Sequence, residues 1–282
     1  MSDMAPIVTQ GEASRFKRAL GPDAGVWLGR SASAWMILAL CGQWIFATYV
    51  LIFYGSAVLA DDWSRWNQVL PRGYVAGDTA GNLVVLSHLA FTVLVVLAAT
   101  IQMLPIVRRH WPRIHRMSGR AFLVSALVLG LGGLIMSLFR GGSNDGIRQA
   151  AGVLNTLMIV IFAAMAWRMA MVRRFAVHRK WALRLFMAVA GVWFFRIGLM
   201  LWLVIFQAPV GFDPKTFTGP FLTFLSYAKF LLPLLFLEIY FAAEKSGSTA
   251  KWITSGTLAV LCLGTGVGIA GATVMLWLPH LK

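Results

Sequence analysis

A chain of 282 residues that is 59% hydrophobic and 12% charged lies far outside the composition of a soluble globular domain. Its formal charge of +15 would suggest a nucleic-acid binder in a soluble protein, but here the basic residues stand in short clusters between apolar runs, so no nucleic-acid partner is expected. The composition implies an all-α, polytopic transmembrane bundle.

Residues 1–32 form a polar segment carrying Arg15, Lys17, Arg18 and Arg30. It has no short apolar core ahead of a small-residue cleavage site, so the first span is expected to serve as the membrane signal. Residues 33–282 form a seven-span membrane domain, because seven runs approach the ~20 apolar residues that a spanning helix needs. They are Ala34–Ala60, Leu83–Val107, Met117–Phe139, Ala150–Trp167, Trp181–Phe206, Phe221–Ala243 and Ile253–Leu278. Residues 83–206 read as a core of two tandem helical hairpins. Cys41 and Cys262 both fall inside apolar runs, which argues against a disulfide framework or a metal-thiolate site.

After the first span, the connection from Asp61 to Asn82 holds Trp63, Trp66 and Tyr74, which fit interfacial anchors. The second span carries His88. It is followed by a basic collar, RRHWPRIHRMSGR from Arg108 to Arg120, which opens the third span. On a helix of about 100° per residue, His115 shares a face with Gly119, Ala126, Gly133 and Ser137, bordered by Phe122 and Leu129. The fourth span carries Asn155. A second collar, RRFAVHRKWALR from Arg173 to Arg184, opens the fifth. Arg196 stands eighteen residues after His178, about five turns, which puts both on one face of a continuous helix. The sixth span holds Lys229, Pro233 and Glu238, with Arg184 as a candidate partner for the carboxylate. In the seventh, Gly264 and Gly268 make a GxxxG pair that marks tight helix packing.

Lys and Arg concentrate in the N-terminal segment and in the second, fourth and sixth connections, all on one side. By the positive-inside rule the N-terminus is cytoplasmic and the C-terminus outside, in a bacterial inner membrane whose anionic lipids attract the collars.

An ionisable group in hydrocarbon costs at least about 3 kcal/mol on insertion scales, so such groups point to function. His88, Asn155, Arg196 and Lys229 lie at comparable depth in the outer half and could line a polar pocket. The alternative is that Lys229 snorkels, Arg196 bonds a helix carbonyl, and His88 bonds Asn155. His115 and His178 could likewise ligate a b-type haem against the small-residue stripe of the third span, beside Gly119, with Arg116, Arg120, Arg179 and Arg184 on its propionates. Alternatively the collars lie among lipid phosphates and supply only anchoring. His110 and His280 sit at the interfaces and are given no role. Phosphate loops, HExxH, paired cysteines and GxSxG are absent, so enzymatic activity is left open.

SHLAFTVLVVLAATIQ, HRMSGRAF, Asn155, HRKWALRLF and the arginine of VWFFRIG together resemble a prokaryotic group of predicted membrane proteins, domain-of-unknown-function family 2306. The resemblance covers about Leu83 to Trp202, with Ala182 where the pattern often has methionine. It implies the polytopic fold and no particular activity. A weaker similarity, carried by His115 and Gly119 at the opening of a span, is to the di-haem b cytochromes that draw electrons from ascorbate. It implies one haem between the third and fifth spans, since Asn155 stands where a second haem would need a histidine opposite His88.

Three functions follow as expectations. The first is intramembrane redox chemistry with haem b and a quinone partner. The second is binding or transport of a lipid or small amphiphile by the outer polar residues. The third is an accessory role beside a membrane-protein partner.

Overall fold

A computed structural model describes residues 23–140 and 145–281; Arg15, Lys17, Arg18 and the polar segment as far as residue 22 lie outside the described residues. Helix α1, Ala24–Leu59, is capped by the Asp23 carboxylate, which accepts from the Gly25 amide at 3.3 Å. Residues 24–32, assigned to the polar segment by composition, are therefore its first turns, and Leu28 there is buried against the chain's last helix.

A short 3-10 turn over Trp63–Gln68 follows, then α2, Thr79–Met103, capped by Asp78. Leu104 turns extended ahead of Pro105, as a residue before proline tends to. Proline at the first helical position opens both α3, Pro105–His110, and α4, Pro112–Phe139, so the first collar is two helices with a corner at Trp111. Helix α5 runs Gly146–Met171 and ends at Arg173 in the left-handed region.

The second collar opens α6, Phe175–Val189, which meets α7, Gly191–Phe206, at a bend of 55° around Ala190. The fifth span is thus broken, so the single face expected to carry His178 and Arg196 does not exist. Both halves pack on the helix that follows them, but α6 otherwise packs on α5 and α7 on the last long helix. Helix α8, Pro220–Glu244, continues through Pro233. Helix α9, Ser248–Gly271, passes into a π turn over Ala272–Trp277 and a last 3-10 turn.

With the bent pair taken as one span, these helices make seven candidate spans, the number read from the apolar runs. Large aliphatics such as Leu51, Val260 and Leu263 point outward, while Ala39, Ala47, Ala99, Ala126 and Ala188 are buried between helices. That inversion suits lipid, where small residues bring helix backbones close and no hydrophobic drive separates inside from outside. Two main cores result. One, near the collars, is centred on Phe122, Phe162, Leu185 and Phe241; the other, at the opposite end, is aromatic, with Phe46, Tyr49, Phe53, Trp66 and Trp277.

Candidate functional site: two neighbouring cavities

Between α1, α2, α4, α5, α6, α7 and α8 lies a chamber of about 220 Å³ whose wall includes His88, Asn155 and Lys229. Glycines make room for it. A Cβ on Gly132 or Gly133 would stand 3.4 Å from the His88 ring, and one on Gly191 would stand 3.4 Å from the Asn155 amide nitrogen and 3.8 Å from the Lys229 side chain. The bend at Ala190 therefore brings the start of α7 up to Asn155 and Lys229. Thr156 bonds the Gly130 carbonyl at 3.1 Å and holds α4 to α5 below the chamber.

The structure brings three of the four outer residues into one wall and sets the fourth beside it. Arg196 is not part of the lining; its guanidinium lies 5.0 Å over the Phe46 ring and donates to the Val192 carbonyl at 3.2 Å. It is still near enough to His88 and Lys229 to interact electrostatically with both. Among the described residues neither Lys229 nor Arg196 has an ion pair. The nitrogen His88 Nδ1 and the oxygen Asn155 Oδ1 are buried without partners, so the expected His88–Asn155 bond through those atoms is not made.

Sequence reasoning missed Gln43 and Trp193. Both line the chamber, Gln43 5% and Trp193 3% exposed, and the side-chain nitrogens of both lack an acceptor. A glutamine in the middle of the apolar run of α1 was the available signal; Trp193 had none, being one tryptophan among twelve. Arg148 also lines the chamber, tied to Asp145 at 3.3 Å and to the Phe217 carbonyl at 2.8 Å.

A second, larger cavity of about 1890 Å³ runs from the collars toward the chamber, with a mostly apolar lining. His115, Arg116, Gly119, Arg120, His178 and Arg179 all border it, whereas Arg184 does not. His178 Nδ1 donates to the Ala166 carbonyl at 2.8 Å; since a carbonyl only accepts, Nδ1 carries a proton, and in the neutral ring Nε2 is the nitrogen with the lone pair. His115 Nδ1 is buried without a partner.

Two collar arginines have carboxylate partners. Arg184 grips Glu238 through two bonds of 2.6 and 3.0 Å and stacks on Trp181, so the pairing suggested by sequence is present. Arg179 stands 3.6 Å from Glu244. The small stripe beneath His115 is the seat of α2: Gly119 faces Gln102, Gly133 faces His88, and Ala126 is fully buried.

The two cavities share Ala99, Phe122 and Lys229 in their walls. Among the described residues no group of three or more His, Cys, Asp or Glu could hold a metal ion.

Residues 85–225, from α2 into the start of α8, match the family model described as "Predicted membrane protein (DUF2306)". The match includes His88, both collars, Asn155 and Arg196, and stops short of Lys229. No curated protein and no solved structure matches the chain, and the likeness to b cytochromes rests on the His115–Gly119 spacing alone. The chain is a member of the DUF2306 family of predicted membrane proteins.

Proposed function

We propose that this membrane protein binds a lipid or other small amphiphile, with the polar head in the small chamber and the tail in the large cavity. The observation that carries the reading is Lys229, an ammonium without an ion pair in the walls of both cavities. A head held there leaves its tail in apolar space that extends toward the collars. The break at Ala190 supports the same use, since interrupted spans line substrate sites in transporters and give a binding site room to change shape. The test is mass spectrometry of small molecules extracted from the purified full chain. The wild type is expected to retain an amphiphile enriched over the surrounding lipid, and Lys229→Met to lose it. A profile equal to the bulk lipid in both would overturn the reading.

The collar histidines support a second reading, a haem b site with a quinone as redox partner. His115 and His178 border one cavity, and the tautomer of His178 leaves Nε2 free as a ligand. The fit is partial, because Arg184 and Arg179 are paired with carboxylates. An absorbance spectrum of protein expressed with ample haem decides it: a Soret band lost in His178→Ala supports the site, and no band removes it.

A further inference from the structure

The chamber wall presents cations and hydrogen-bond donors, against one unpartnered amide oxygen, Asn155 Oδ1, and it includes no carboxylate to answer the charge. Lys229 points its ammonium to within 5.9 Å of the Phe195 ring, and Arg196 lies just outside; neither is ion-paired among the described residues. Arg148 is the one lining cation with a carboxylate, Asp145. The indole N–H of Trp193 and the amide nitrogen of Gln43 are both more than nine-tenths buried and lack acceptors. In hydrocarbon an unanswered donor is costly and an unpaired charge more so, and this wall favours an acceptor that carries negative charge.

We propose that the chamber selects an oxyanion, a carboxylate or phosphate carried on an alkyl tail. Lys229 supplies the charge contact, Gln43 and Trp193 supply neutral donors, and Arg196 adds attraction from behind Phe46. The inference rests on the amphiphile-binding reading and narrows it to one head-group charge. A cationic head would meet two cations, and a neutral alcohol would leave both uncompensated.

The experiment uses the full chain in discs of phosphatidylcholine and measures retention of radiolabelled laurate, dodecyl phosphate and dodecanol over empty discs. At least one acid is expected to be held about tenfold more tightly than dodecanol. Whichever acid is held better identifies the head as carboxylate or phosphate. Lys229→Met should abolish the preference. So should Asn155→Asp, which keeps the chamber volume and adds a repelling charge. Equal retention of acids and alcohol, or a preference that survives both variants, would overturn anion selection while leaving amphiphile binding in place. Retention of none of the three would overturn both.

Discussion

The guanidinium of Arg140, at the end of α4, closes the connection between α1 and α2. It donates to the Arg72 and Gly73 carbonyls at 2.9 and 3.2 Å, to Asn82 at 2.9 Å, and to the Asp78 carboxylate at 2.6 Å. Asp78 also caps α2 by accepting from the Gly81 amide at 2.9 Å. That backbone bond, with the help of Arg140, holds its carboxyl below the ordinary value of 3.8. A lowered carboxyl pKa gives stability that is complete above 3.8 and lost as pH falls through the folded value. Acid is therefore expected to release residues 61–82, read as faster amide hydrogen exchange there relative to the intrinsic rate at each pH. Asp78→Asn should show the released pattern already at neutral pH, with the acid step at this site gone; an unchanged acid step would sink the assignment. Nothing local in the sequence announces that Arg140 finds acceptors nearly seventy residues away.

At the scale of elements, the glycines of α9 divide by what they meet. A Cβ on Gly268 would lie 2.6 Å from the Ile197 carbonyl of α7, whereas one on Gly264 would lie 3.6 Å from a flexible leucine side chain. Backbone cannot yield as a side chain can. Gly268→Ala is expected to destabilise the fold by about 1–3 kcal/mol, as overpacking does. Gly264→Ala should stay within about 0.5 kcal/mol. Thermal unfolding midpoints in one detergent compare them, and equal losses would show that the two glycines act as a matched pair. The GxxxG spacing located this helix contact correctly but could not rank its members, because the ranking depends on the angle at which α7 crosses. That angle follows from the bend at Ala190, which lies inside an apolar run with no proline to mark it. Pro233, the visible helix breaker, left α8 continuous. It lacks the N–H that would bond the Lys229 carbonyl one turn earlier, so it loosens the backbone at the residue shared by both cavities.

Across the whole molecule, span number and the two collars were legible because charge and length survive any packing arrangement. The chamber was legible in part. His88, Asn155 and Lys229 stand out as polar groups in hydrocarbon, but Gln43, Trp193 and the displacement of Arg196 depend on which helix faces point inward. In lipid that is hard to read, since outward and inward faces are both apolar and differ mainly in side-chain size. The same similarity governs the large cavity. Its aliphatic and aromatic lining offers an alkyl chain much the same surroundings as neighbouring lipid tails do, so a chain moving from bilayer to cavity leaves no water behind and gains little from the exchange. Lengthening the tail would raise a ligand's partitioning into the membrane without sharpening its choice of the protein over the bilayer. Discrimination between ligands then falls to the polar atoms of the chamber around Lys229.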